Sequence, residues 1–228
     1  MSSVLKPQPE VGMKKYLLFL FITLPFGMGL RAVFEVQRWR GRITITGWEN
    51  LPTEGPILAI SNHPYKREYL WMVCLFFRAV KRFLWPRKYG PWTMADNGNF
   101  PWWFPGRAKL IPVDRTKKGR GRRALKKAVE VLEDGENLIV FIEGHRTTNC
   151  PDFRYSPEKG RPIGVPFADG FPFLAGLPNV TTVIMWWEYG PNGVEVVIGK
   201  PIKFQGVSRE EIAAITLTKI LELADQAA

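Results

Sequence analysis

Apolar positions along this chain fall into short runs closed by Gly, Pro or charge, and the period of each run predicts an element. Ile43-Thr44-Ile45-Thr46-Gly47 alternates with period two and reads as a strand. After a Pro/Gly turn, Pro56 to Ile60 has no polar position and reads as a buried strand. Tyr69 to Val80 is apolar over the length of a helix, and Leu110 to Val113 is a short strand ending in Asp114-Arg115. From Arg122, Leu125, Val129 and Leu132 mark a helix that runs to a C-terminal cap at Gly135, before the strand Leu138 to Ile142. Val180 to Trp187 and Val194 to Ile198 are further strands. Ser208 to Ala224 closes the chain as an amphipathic helix, with Ser208 as its cap and Glu211 three residues on. Strand, helix and strand in that order imply a parallel crossover, so the expected fold is α/β with a mostly parallel central sheet flanked by helices.

Two stretches depart from this rhythm. Tyr16 to Leu30 carries no charge and stops at Arg31, which marks a lipid-seeking N-terminal element. Fifteen residues of helix reach only about 22 Å, short of the roughly 30 Å hydrocarbon core. Pro25, Gly27 and Gly29 are expected to break the helix, giving a kinked element in one leaflet; a span that snorkels Arg31 and a signal peptide are the alternatives. No small-x-small cleavage site follows, and Phe34 to Arg40 continues as a basic amphipathic stretch. Trp85 to Gly106, rich in Pro, Gly and Trp, reads as an irregular segment, either a packed loop or an interfacial lid.

At 228 residues the chain fits one domain with a sizeable core. The expected division is an N-terminal segment of residues 1–41 and a domain of residues 42–228. The 32 Lys+Arg against 21 Asp+Glu give a formal +11, which attracts polyanions of several kinds. Nine Trp and fifteen Phe turn the choice towards a membrane surface, where Trp favours the interface. Nucleic-acid binding would rest on Lys117 to Lys127 alone, with no recognition motif, so no nucleic-acid partner is expected. Cys74 and Cys150 are too few for a disulfide framework and point to a reducing, cytoplasm-facing location. No metal is expected, because two histidines and scattered carboxylates lack ligand spacing.

Candidate chemistry sits directly behind two of the apolar runs. Asn62-His63-Pro64-Tyr65-Lys66-Arg67-Glu68 sets an imidazole and a carboxylate five positions apart behind the Pro56 to Ile60 run, a pairing that suggests a general base. Phe141-Ile142-Glu143-Gly144-His145-Arg146 is a second polar turn behind a strand. Two strand ends meeting at one cleft would make an active site.

Taken together, these residues resemble the glycerolipid acyltransferases of the 1-acylglycerol-3-phosphate (lysophosphatidate) acyltransferase type, over about Gly47 to Phe204. Asn62-His63 with Glu68 looks like the family's first block, an Asn-His followed after four spacers by an acid. Gly106 to Arg115, ending Ile111-Pro112-Val113-Asp114-Arg115, looks like the second. Phe141-Ile142-Glu143-Gly144-His145-Arg146-Thr147 is similar to the third, Phe-Pro-Glu-Gly-Thr-Arg-Ser, and Gly170 to Pro178 is a looser match to the fourth. Glu68 stands where Asp is usual, Ile142 replaces a Pro, His145 replaces a small hydroxyl residue, and Ala168-Asp169 precede Gly170 where a basic residue is common.

The resemblance implies an O-acyltransferase catalytic domain over residues 42–228. It would carry a fatty acyl chain from acyl-CoA or acyl carrier protein, as co-substrate with no bound cofactor, to a lysophospholipid acceptor. His63 would be the base and Glu68 would hold the imidazole's other nitrogen. Arg115 and Arg146, whose guanidinium groups can each fork two donors onto a phosphate, are the acceptor-phosphate candidates. Glu143 is implied at the acceptor site, orienting the arginines or binding a glycerol hydroxyl, and Gly144 allows the tight turn. His145 is an alternative base. A monotopic or single-span membrane protein with its active site facing the cytoplasm is the expected setting. The alternatives are glycerol 3-phosphate or another lysolipid as acceptor, and a non-catalytic membrane-binding relative.

Overall fold

The computed structural model describes residues 24–64, 68–76, 90–96, 109–113, 120–144, 146–165 and 170–227. Arg115, His145 and most of the Trp-rich segment lie outside these residues, as does the apolar run before Leu24. The elements in chain order are α1 (Leu24–Trp39), β1 (Ile43–Thr46), β2 (Ile57–Ser61), α2 (Glu68–Phe76), β3 (Trp92–Asp96), β4 (Leu110–Val113), α3 (Arg120–Glu133), β5 (Leu138–Phe141), β6 (Asp152–Tyr155), β7 (Pro162–Val165), α4 (Gly170–Ala175), β8 (Thr181–Gly190), β9 (Gly193–Ile198) and α5 (Arg209–Gln226).

Seven of the described strands form one sheet in the order β1-β9-β8-β2-β5-β3-β4, and β6 pairs antiparallel with β7 as a separate ribbon. Every contact in the large sheet is parallel except β8 with β9. The sheet is therefore the mostly parallel one that the alternation of strands and helices predicts. The helix α3 links β4 to β5 as expected, but the two strands are not neighbours, because β3 pairs with both of them. β3 lies inside the segment read as irregular.

Two apolar layers sandwich the sheet, and the period-two geometry of β2 divides its residues between them. Leu58 and Ile60 pack with Ala128, Leu132, Phe171 and Ile220 from α3, α4 and α5. Ile57 and Ala59 face the opposite way, with Phe34, Met72, Leu75 and Trp187. All five residues of β2 are buried, which is why its first four, Ile57 to Ile60, are apolar without a break. On α3, Ala124, Ala128, Val131 and Leu132 are buried while Arg122, Arg123, Lys126 and Lys127 stay exposed. Gly135 closes that helix in the left-handed region (φ 78°), with its N–H on Leu132 O and the Glu136 N–H on Val131 O. Ser208 caps α5, its hydroxyl accepting the Glu211 N–H at 3.2 Å.

Gly27 and Gly29 do not break the chain there: α1 is one helix from Leu24 to Trp39, and the part of the apolar run before Leu24, with any break at Pro25, lies outside the described residues. α1 docks on the domain through Phe34, fully buried against Trp48 and Trp71. Arg31 donates to Cys74 O at 2.7 Å at the end of α2 and pairs with Glu35. Among the described residues no helix is long and apolar enough to cross a membrane.

Candidate active site

β2 and β5 are parallel neighbours, so their C-terminal ends open on the same edge of the sheet, where α/β folds place their ligands. His63 follows β2 by two residues and Glu143 follows β5 by two. The ladder continues past both strands, with the Ile142 N–H on Ser61 O at 3.1 Å, and this carries the two polar turns into contact.

Glu68 opens α2, where the helix N-terminus favours a negative charge. Its side chain is 0% exposed, and Oε1 lies 3.6 Å from His63 Nδ1, just beyond hydrogen-bond reach; the His63 side chain is 22% exposed. Carboxylate and imidazole are thus brought together, the carboxylate shielded from water and the imidazole open to it. The imidazole also stacks on Phe141, with ring centroids 4.1 Å apart and planes 18° off parallel.

Asn62 was part of the motif without an assigned task, and the structure gives it one. It is buried, donates from Nδ2 to Trp187 O at 2.9 Å and accepts the Trp187 N–H on Oδ1 at 2.8 Å. This two-bond clamp ties the end of β2 to β8 immediately before His63. Asn62→Leu would strand a buried backbone donor and acceptor on Trp187, so a loss of about 2–4 kcal/mol is expected. Denaturant unfolding checks it; a midpoint equal to that of the wild type would show the clamp to be dispensable.

Glu143 is 3% exposed and its carboxylate turns inward. Oε1 accepts the His63 N–H at 2.5 Å and the Thr147 hydroxyl at 2.8 Å; Oε2 accepts the Gly164 N–H from β7 at 2.8 Å and faces Cys150 Sγ at 3.8 Å. Burial pushes its pKa above the ordinary carboxylate value, with the His63 and Gly164 amides and the Thr147 hydroxyl pulling the other way. Burial and the neighbouring Glu143 charge push the Cys150 thiol up to about 11. Gly144 sits at φ 67°, the left-handed turn position for which glycine is suited.

Arg146 precedes the short 3-10 turn Thr147–Asn149, partly exposed, and among the described residues no hydrogen bond or ion pair holds its guanidinium. Arg115 lies beyond the end of β4 and outside the described residues. β4 stands three strands from β2, about 14 Å at the usual strand spacing. An open apolar notch of about 220 Å³ lies beside the site, lined by Thr147, Thr148, Phe153, Tyr155 and Pro162. Among the described residues no three His, Cys, Asp or Glu side chains gather as a metal site requires.

Sequence reasoning found His63, Glu68, Glu143, Gly144 and Arg146, and missed what Asn62, Phe141, Thr147 and Gly164 do. The first three of these lay inside or beside the motifs it quoted, and Gly164 carried no signal.

Comparison with known proteins bears on this geometry. A family model described as Acyltransferase matches residues 42–186, well over half the chain. No curated protein matches the chain. The fold is similar to that of the 1-acyl-sn-glycerophosphate (LPA) acyltransferase PlsC from Thermotoga maritima, with a TM-score of 0.56 and 22% sequence identity over 93% of this chain and 80% of that one.

Proposed function

The chain belongs to the acyltransferase family, and from that premise we propose that it moves a fatty acyl chain from acyl-CoA or acyl carrier protein to the free hydroxyl of 1-acylglycerol 3-phosphate, forming phosphatidate. The observation that carries this reading is the partly exposed His63 imidazole backed by the fully buried Glu68 carboxylate.

The imidazole turns Nδ1 to Glu68, so the proton of the neutral ring is assigned to Nδ1 and the Nε2 lone pair is left for substrate. Nε2 takes the acceptor hydroxyl's proton as its oxygen attacks the thioester carbonyl carbon. The imidazolium that forms faces a carboxylate held out of water, where their attraction is stronger than in solvent. Collapse of the tetrahedral intermediate breaks the carbon–sulfur bond, and Nε2 returns the proton to the departing thiolate. This sequence needs no enzyme nucleophile.

Arg146 supplies a guanidinium beside this turn for the acceptor's phosphate, with Arg115 as its second. The apolar notch by Thr147 suits hydrocarbon. α1 turns Phe26, Met28, Val33, Val36 and Trp39 outward, Trp39 at 86% exposure, while Phe34 holds the helix to the domain. Such a face supports attachment in the interfacial plane of a membrane. The two free cysteines fit an active site on the cytoplasmic side.

The test is transfer of a labelled acyl group, from acyl-CoA and from acyl carrier protein, to lysophosphatidate, glycerol 3-phosphate and zwitterionic lysolipids in liposomes. Lysophosphatidate is expected to be the preferred acceptor. Arg146→Ala should weaken that preference by about 10- to 100-fold through the acceptor KM, the worth of a hydrogen bond to a charged group. Preference for another acceptor would replace the substrate assignment. Absence of turnover with every pair would leave a non-catalytic membrane-binding relative.

A further inference from the structure

Glu143 has no room for a substrate. An ionised carboxylate offers about four lone-pair sites, and the chain itself brings three donors to this one, the His63 N–H and Thr147 hydroxyl on Oε1 and the Gly164 N–H on Oε2, while Cys150 Sγ, with Arg146 O nearer at 3.5 Å, packs against Oε2 at 3.8 Å. The grip on His63 is also two-sided. While Glu143 holds its N–H, the Thr147 N–H donates to the His63 carbonyl at 2.9 Å, and the Thr147 hydroxyl returns to the same Glu143 oxygen. His63, Glu143 and Thr147 thereby close a ring of hydrogen bonds around the peptide that carries the imidazole. The other carboxylate oxygen anchors that ring to the β6–β7 ribbon.

We propose that Glu143 is a positioning residue for the His63 turn, not a ligand of the acceptor, and that the β6–β7 ribbon, through Gly164, belongs to the frame that aims the imidazole. This rests on the acyl-transfer reading for its kinetic consequences, not for its geometry. A buried carboxylate is an economical way to do this, because bonds to an ionised acceptor are shorter and about twice as strong as neutral ones.

Glu143→Gln keeps the shape but exchanges one acceptor oxygen for an NH2 group that meets either the Gly164 N–H or the His63 N–H as donor against donor. A loosened base is expected to lower kcat by about 10²-fold, the usual effect of misplacing a catalytic group by about 1 Å, with the acceptor KM within about two-fold of the wild type. Thr147→Val should lower kcat about ten-fold, Thr147→Ser should restore it, and the two lesions should be less than additive together because they break one ring. Combined with Arg146→Ala, by contrast, Glu143→Gln should simply add. Amide exchange of His63, followed by NMR with no substrate present, should quicken about 10- to 100-fold in Glu143→Gln.

A raised acceptor KM with kcat retained would make Glu143 an acceptor ligand and overturn the proposal. Unchanged His63 exchange would overturn it equally. If His63 exchange quickens while the wild type acylates nothing, the acyl-transfer reading fails and the positioning role stands.

Discussion

His63→Ala is expected to lower kcat for acyl transfer by about 10³-fold, within the range that general-base catalysis contributes, while the protein stays folded. The imidazole is partly exposed and packs on one ring face, so its removal should cost little more than the stack on Phe141. That is about 1 kcal/mol, or a thermal midpoint lower by about 2–4 °C for a chain of this size. The separation between a large kinetic effect and a small thermal one is what identifies a reacting group. Glu68→Gln should follow with a loss of about 10²- to 10⁴-fold, as when the acid behind a catalytic histidine is neutralised. Glu68→Asp, which keeps the charge but draws it back by one methylene, should stay active. Steady-state kinetics with lysophosphatidate and a calorimetric scan decide the matter. Activity in His63→Ala above about a tenth of the wild-type value would remove His63 from the role of base.

Gly164→Ala is expected to damage both fold and rate. A Cβ at this position would overlap the Cys150 side chain and come within 2.7 Å of Glu143 Oε2. Overpacking of this kind costs about 1–3 kcal/mol, a fall of roughly 2–12 °C in thermal midpoint. Since the atoms displaced include the carboxylate that holds the His63 N–H, kcat should fall by about 10²-fold as well. Cys150→Gly in the same chain opens the space on one side but leaves the Glu143 contact unchanged. The double variant should therefore recover more stability than activity. Full activity in Gly164→Ala would mean that the ribbon can shift without disturbing the base.

The parts of the fold that follow from short-range pattern were legible in the sequence. β1, β2, β5, β8 and β9 announce themselves as alternating or unbroken apolar runs, and α3 and α5 by period and caps. What escaped depends on partners far along the chain. Trp92–Asp96 mixes Trp, Thr and Asp beside prolines, and becomes a strand because β4 and β5 offer it a place between them. Asp152–Tyr155 alternates charge with aromatic side chains, and its partner strand Pro162–Val165 is apolar but punctuated by Pro and Gly, residues that read as a turn rather than a strand. The candidate site divides along the same line. An acid five positions from a histidine is visible locally. That Asn62 clamps Trp187, 125 positions on, or that Glu143 reaches back 80 positions to His63, is a property of the assembled sheet. Gly27 and Gly29 show the opposite error, a residue type judged without its context: α1 runs through both without a break.

β2 is the fourth of the seven described strands in its sheet, and both its neighbours come from later in the chain. Its register partners are Leu138 to Phe141 on one side and Thr181 to Met185 on the other. As the polypeptide leaves the ribosome, the strand that delivers His63 is therefore without a partner until most of the chain has been made. Through that interval it presents Ile57-Leu58-Ala59-Ile60, an uncharged apolar edge of the kind that pairs with other chains. The strand before His63 is in this way a segment of the nascent chain in need of shielding, and it becomes safe only when β8 arrives and Asn62 closes on Trp187.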